Sequence, residues 1–144
     1  MTFGISPVTA DDPRFEAFLR IAGNAHLGSR LNDRRERAAY REALRESNAG
    51  GESTFYVGEL EGRVAGGFRL YDFRMRIRET ECFAGGLGFV SVDLPYKQLG
   101  VAREMVLYYL RHYRERGAVM AALHAFRPDF YHRLGFGYGR KVGT

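Results

Sequence analysis

Ser91-Val92-Asp93-Leu94-Pro95-Tyr96-Lys97-Gln98-Leu99-Gly100-Val101-Ala102 is the stretch on which the fold turns. Just upstream, Phe89-Val90-Ser91-Val92 is aromatic and β-branched and reads as the end of a strand. Downstream, Ala102, Met105, Val106, Tyr109, Leu110 and Tyr113 recur at helical spacing, so a long helix runs from about Val101 to Arg116 and stops at Gly117. The first amides of a helix have no acceptor inside it, and the helix dipole puts partial positive charge there. The junction is therefore an anion site of a size that suits a pyrophosphate. Gly100 removes a Cβ from the approach, Ala102 keeps the next position small, and Lys97 adds a full positive charge. The glycine spacing fits neither a P-loop nor a dinucleotide-binding fingerprint. On these residues alone, an ordinary strand-to-helix turn with a structural glycine is the competing reading.

Working outward, Val119 to Ala125 is mostly apolar, as expected of a buried central strand. The unit from Phe89 to Phe126 is then a strand-helix-strand crossover with parallel strands and a right-handed connection. Toward the N-terminus, Phe3 to Val8 forms an opening strand. Asp11 or Asp12 caps a helix with Pro13 in its first turn and Phe15, Phe18, Leu19 and Ala22 on one face. A strongly charged second helix runs from about Asp33 to Glu46, with Ala39, Tyr40, Ala43 and Leu44 facing inward, and Ser47 to Ser53 is a loop. Thr54 to Leu60 and Val64 to Tyr71 form a hairpin about Glu61-Gly62-Arg63. Phe73-Arg74-Met75-Arg76-Ile77-Arg78 alternates, which predicts a buried apolar face and a wet arginine face. Glycines at 85, 86 and 88 within Ala84 to Val92 mark a bulge or the close approach of a ligand. A short helix covers about Pro128 to Leu134, and a last strand starts near Tyr138. The order predicts one α/β domain over residues 1–144, a mixed sheet with helices on both faces.

With 144 residues, 45% of them hydrophobic and 27% charged, the chain fits a single soluble domain. It holds no apolar run approaching about 18 residues, so no membrane partner is expected. Met1 to Ala10 lacks the basic head and apolar stretch of a secretion signal. A single cysteine, Cys82, excludes an internal disulfide and a cysteine-based metal cage; it reads as a buried inert thiol, and the location as cytoplasmic. The net charge of +5 is carried almost entirely by arginine. Either it is a solvated surface or it is a field that draws in a polyanion, and charge alone does not choose. A nucleic-acid surface needs aromatics interleaved with arginines on one exposed face. Phe73 to Arg78 sends the two to opposite faces, so no nucleic-acid partner is expected. No His, Cys, Asp and Glu grouping has metal-ligand spacing, so no metal is expected.

Lys97-Gln98-Leu99-Gly100-Val101-Ala102 resembles the Gln/Arg-x-x-Gly-x-Gly/Ala motif of GNAT acetyltransferases, with Lys97 standing where Arg or Gln is usual. A cation is kept there without arginine's forked donor set. Leu123-His124-Ala125, followed by Phe130-Tyr131-His132-Arg133-Leu134-Gly135-Phe136-Gly137-Tyr138, is similar to the ending of that fold, and in particular to the N-terminal domain of Eis-like proteins. The resemblance covers about Val57 to Tyr138. It implies the GNAT fold, with a bulged strand that splays from its parallel neighbour and admits acetyl-CoA as acyl donor. Phe89, Val90, Ser91 and Val92 would hold the pantetheine and polarise the thioester carbonyl, and Lys97, Gln98, Leu99, Gly100, Val101 and Ala102 would hold the pyrophosphate. The implied activity is direct transfer of an acetyl group to a primary amine of a small molecule or peptide. Tyr131 matches the acid that protonates the departing thiolate.

For the base, His124 has a suitable pKa class and sits late in its strand; Asp93 and Glu81 are weaker options. Asn24, His26 and the second helix lie where such acceptors usually bind. In larger Eis-like proteins a C-terminal carboxylate serves as base. The alternative is therefore a non-catalytic acyl-CoA-binding module or a fragment of a larger Eis-like protein. Incomplete sheet edges leave room for a homo-oligomer.

Overall fold

In the computed structural model, which describes residues 2–26, 30–47, 53–125 and 127–139, Asp12 starts the first helix, α1 (Pro13–Ala25). Its carboxylate accepts a hydrogen bond from the Arg14 amide at 2.9 Å, and Pro13 fills the first turn, where no amide hydrogen is needed. The Arg14 guanidinium donates to Asp12 at 2.8 Å, to Ser6 Oγ at 2.8 Å and to Glu59 at 2.6 Å. One side chain thus ties α1 to β1 (Phe3–Val8) and β2 (Ser53–Leu60). The Arg14 hydrogen bonds hold the Asp12 carboxyl below its ordinary value of 3.8. A depressed folded value stabilises the protein above the unfolded pKa and stops doing so as pH falls through the folded one. Asp12→Ala is therefore expected to lower the unfolding free energy by about 0.5–2 kcal/mol at pH 7. In urea titrations the gap between variant and wild type should narrow below pH 3.8.

The remaining elements are α2 (Arg34–Ser47), β3 (Arg63–Ile77), β4 (Thr80–Val92), a 3₁₀ turn (Leu94–Tyr96), α3 (Val101–Glu115), β5 (Met120–Leu123) and α4 (Pro128–Arg133). Among the described residues the sheet has five strands in the order β1-β2-β3-β4-β5. Each neighbouring pair is antiparallel except β4–β5, which is parallel, as the crossover through α3 requires. The hairpin between β2 and β3 closes on Glu61 and Gly62, both at positive φ (50° and 78°), the turn whose twist matches the flanking strands. Phe15, Phe18, Leu19, Ala22, Phe55, Val57, Leu31 and Leu44 form the core between the sheet and α1 and α2. Tyr56, Phe68, Leu70, Leu87, Met105, Val106, Tyr109 and Tyr113 form the core beneath α3. Helices thus cover both faces of a mixed sheet, as the sequence predicts.

Several local expectations are corrected. Phe73 to Ile77 is no separate segment but the far half of β3, which is 15 residues long. There the β3–β4 hairpin outruns its neighbours: β2 pairs with β3 only as far as Tyr71, and β5 pairs with β4 only from Ala84. With no further strand paired alongside it among the described residues, the expected apolar face is not fully buried; Phe73 is 45% exposed, and Met75 and Ile77 are half-buried. Cys82, on the same hairpin, is half-buried rather than buried, with Sγ 3.7 Å from the Thr80 carbonyl. Only Leu44 of the four inward residues expected on α2 is buried; Tyr40 is half-buried, and Ala39 and Ala43 are exposed, because α2 meets the core along one edge. β5 is not a buried central strand: Met120 and Ala122 are exposed, and β4 is its one strand neighbour among the described residues. Residues 136–139 form no regular element, and the rest of the expected last strand lies outside the described residues. Among those residues no helix is long and apolar enough to cross a membrane.

Candidate functional site

β4 and β5 pair from Ala84–Met120 to Leu87–Leu123 and then part. β5 ends there, while β4 continues to Val92, so the backbone groups of Gly88 to Val92 that point toward β5 have no strand partner among the described residues. The Tyr109 hydroxyl, carried by α3, sits at the root of this opening. It donates to the Gly85 carbonyl at 2.8 Å and lies 3.3 Å from the Ala122 carbonyl, joining both strands just before they diverge. Removal from water pushes the Tyr109 phenol well above its ordinary range, so the hydroxyl stays a donor.

On its other edge β4 is bulged. Gly67 pairs with Ser91 and Arg69 with Gly88, which leaves Phe89 and Val90 opposite Phe68 alone. Phe89 takes φ 56°, a left-handed conformation that costs a bulky residue on the order of 1–3 kcal/mol and persists only where the surroundings enforce it. Here the enforcing groups are rings: Phe55, His26 and Tyr40 lie with centroids 5.8, 6.0 and 6.1 Å from that of Phe89. Gly66 and Gly67 make room on β3. A Cβ on Gly66 would collide with the Ser91 carbonyl, and one on Gly67 would come within 2.6 Å of the Phe18 ring. That Gly-Gly pair is part of the site, and the sequence reading passed over it. Of the β4 glycines, Gly88 borders the bulge. Gly85 and Gly86 instead leave space for the protein's own rings, Tyr113 on one face and Phe73 on the other.

Past Val92 the chain turns toward α3. The Asp93 amide donates to the Ala65 carbonyl at 2.8 Å, and its carboxylate accepts from the Leu94 amide at 3.0 Å. Gln98 and Gly100 then adopt positive φ (70° and 82°). Gly100 is the N-cap of α3 and supplies no side-chain acceptor; the first internal bond is from the Glu104 amide to the Gly100 carbonyl at 3.0 Å. The amides of Val101, Ala102 and Arg103 therefore precede the helix's own hydrogen bonding. A Cβ on Gly100 would meet nothing within 4 Å, so the approach is open. Lys97, Gln98 and Leu99 are exposed, while buried Val101 anchors the turn in the core. This is the geometry expected of an anion site.

Tyr131 lies on α4, half-buried, its ring 5.1 Å from Phe130 and 6.0 Å from Phe136. Phe136 stacks in turn on Tyr109 at 6.4 Å, so Tyr131 stands one ring away from the point where the strands part. Burial raises its phenol pKa, which keeps the proton on oxygen through neutral pH. His124 follows the last paired residue of β5 and is exposed. Glu81 does not reach this region: it pairs with Arg76 near the hairpin tip, eight residues from Phe89, roughly 27 Å along a strand. The Asp93 carboxylate is engaged in capping the turn. On the α1 side, His26 Nε2 lies 3.1 Å from the buried Ser91 Oγ, a contact across 65 residues that no local pattern announces. Asn24 is exposed on the last turn of α1. Among the described residues no group of three or more His, Cys, Asp or Glu side chains is arranged to hold a metal ion.

Comparison with known proteins agrees with this arrangement. The family described as an acetyltransferase (GNAT) domain matches residues 6–139. Among solved structures, glucosamine-6-phosphate N-acetyltransferase from Arabidopsis thaliana superposes with a TM-score of 0.74 at 21% identity, over 100% of this chain and 97% of that one. An aminoglycoside acetyltransferase from an uncultured soil metagenomic sample gives 0.73 at 18% identity, over 99% and 93%. Ribosomal-protein-alanine N-acetyltransferase from Brucella melitensis gives 0.73 at 16% identity, over 99% and 97%. No curated protein matches the chain. At these identities the structural likeness concerns the fold.

Proposed function

The chain belongs to the GNAT acetyltransferase family, and on that premise we propose that it moves an acetyl group from acetyl-CoA directly to a primary amine of a small molecule or peptide. The observation that carries this reading is the opening between β4 and β5, flanked by the bulge at Phe89 and Val90 and ending at the uncapped start of α3. The residues present fit the donor. The amides of Val101 and Ala102, with Lys97 and Gln98 beside them, receive the pyrophosphate, and Gly100 and Leu99 leave its approach clear. Phe89, Val90, Ser91 and Val92 offer backbone groups to the pantetheine arm and to the thioester oxygen, where negative charge grows as the amine attacks. Tyr131 gives its proton to the departing sulfur. Two imidazoles lie near this region, exposed His124 after the end of β5 and His26 against the bulge, and imidazole is a side chain that serves as a general base; His124 is the candidate for that role here. The finer likeness to Eis-like proteins rests on the motif from Leu123 to Tyr138. The acceptors named for the structural relatives, glucosamine 6-phosphate, an aminoglycoside and a ribosomal-protein alanine, are the first to try.

The direct test is calorimetric titration with acetyl-CoA, followed by thiol release in the presence of those amines. Saturable binding is expected, weakened at least about tenfold in Gly100→Val, which places a branched side chain at a left-handed position in the anion approach. Absence of binding to the wild-type chain would refute the reading. Binding with no thiol release from any amine would favour a non-catalytic acyl-CoA module.

A further inference from the structure

We propose that Arg69 selects the acceptor: the amine that receives the acetyl group carries an anionic group, a carboxylate or a phosphate, which the Arg69 guanidinium binds. The inference rests on the acetyl-transfer reading above and narrows its acceptor. Arg69 pairs with Gly88 across β3 and β4, and the bulge at Phe89 begins at the next residue. Side chains alternate along a strand, and Phe68 and Leu70 point into the core beneath α3. Arg69 therefore projects to the opposite face, where Phe55 packs with α1 and α2. Its guanidinium rests over the ring of its β2 partner Phe55 at 4.8 Å and over that of Tyr71 at 4.9 Å.

Rings extend this arrangement in both directions. Phe55 leads to Phe89, 5.8 Å away, and Tyr71 stacks on Phe73 at 5.8 Å with the planes 8° apart. Tyr71 and Phe73 can lie against β4 because the residues that they meet there are Gly88 and Gly86. From α2, Tyr40 closes on Phe55 and Phe89 at 6.4 and 6.1 Å. A single guanidinium is thus set into a wall of aromatic rings, and the wall leads to the segment that would hold the thioester.

This charge has no carboxylate partner among the described residues. Arg14, Arg37, Arg41 and Arg45, which stitch α1 and α2 in place, each pair with one. Arg69 instead donates from Nε at 3.1 Å and from Nη2 at 2.7 Å to Ser53 Oγ, a neutral acceptor on one edge of the fork. Burial raises the Tyr40 phenol pKa and the Arg69 charge works against that rise, so a neutral hydroxyl and not a phenolate stands near the guanidinium. Arg69 is half-buried, and the rings displace part of its hydration, which strengthens its attraction for an incoming anion. Its terminal edge, Nη1 with Nη2, suits a carboxylate or a phosphate oxygen pair.

β3 stands one strand spacing, about 4.8 Å, from β4. A molecule the size of a dipeptide or an amino sugar phosphate spans from the Arg69 charge to the thioester segment. A polycationic aminoglycoside meets a like charge there.

The test compares thiol release from acetyl-CoA by the full chain within matched pairs: glucosamine 6-phosphate against glucosamine, and alanyl-alanine against alanyl-alanine amide. In at least one pair the anionic member should show a kcat/KM at least about tenfold higher, the scale of one charge-assisted interaction. Which pair shows it separates phosphate from carboxylate. Arg69→Met keeps an apolar stem on the wall and removes the charge. It should reduce that preference at least about tenfold, through KM rather than kcat, and Arg69→Lys should retain part of it. Calorimetry supplies a readout without turnover: on the CoA-saturated chain, the preferred anionic amine should bind at least about tenfold more weakly to Arg69→Met than to wild type. Equal kcat/KM within both pairs, or a higher value for sisomicin than for either anionic amine, overturns the proposal while the transferase reading stands. So does a loss in Arg69→Met that is the same for charged and neutral members, which would make Arg69 a structural strut. Failure of the wild-type chain to bind acetyl-CoA removes both.

Discussion

Tyr131→Phe should reduce the rate of thiol release by about 10²–10⁴-fold and leave acetyl-CoA binding nearly unchanged. The change removes one oxygen and keeps the ring, so the contacts with Phe130 and Phe136 survive, and with them the path to Tyr109. Burial holds the Tyr131 pKa above its ordinary value of 10.0, so the wild-type phenol keeps its proton across the physiological range. The sign follows: this group causes no loss of rate as pH rises until the medium passes 10.0. A variant with wild-type turnover would show that sulfur leaves without help from Tyr131. Equal losses in binding and turnover would mean that the hydroxyl supports structure.

Gly85→Ala should cost about 1–3 kcal/mol, the range for overpacking a tight core, and Gly85→Val more. Against a total of roughly 5–15 kcal/mol for a domain of this kind, that is a large share. The added carbon falls well inside contact distance of the Tyr113 ring. That ring cannot step aside, because it is 2% exposed and its hydroxyl, which lies 2.7 Å from the Tyr71 carbonyl and 2.9 Å from Asp72 Oδ1, gives its one proton to this pair of acceptors. Displacing β4 instead would strain the Tyr109 bond to the Gly85 carbonyl. Urea denaturation reads the loss. If steric conflict is the cause, Tyr113→Ala in the same chain should make the two changes strongly non-additive, since the cavity from one accepts the methyl of the other. Additive losses would place the cause in backbone conformation.

Much of this architecture is legible in the residues. Pro13 after Asp12, the stripe from Met105 to Tyr113 and the Gly62 turn each act within a few positions of themselves, and each element formed where its pattern lies. The crossover followed from topology, because two parallel neighbours need a long connection. What escaped was set by neighbours distant in sequence. Phe73 to Ile77 has a perfect alternation, yet among the described residues neither β2 nor β5 extends alongside it, so its apolar face stays partly exposed. β5 reads as central because it is apolar, but its exposure depends on what pairs with its outer edge. Gly85 and Gly86 looked like openings for a ligand, whereas the space was taken by Tyr113 and Phe73, whose positions only the folded sheet reveals. The turn from Lys97 to Gly100 and the start of α3 were readable because the signals of a helix end are local. The His26–Ser91 pair was not, because nothing near either residue refers to the other.

The Tyr109 hydroxyl has a consequence for motion. By bonding β4 and β5 together it couples α3 to the strand pair, so residues 84–87, 120–123 and the helix should open to solvent as one cooperative foldon. The stretch from Gly88 to Val92 lies beyond that rivet. Among the described residues only β3 pairs with it, so its amides on the β5 side should exchange faster than those of residues 84–87.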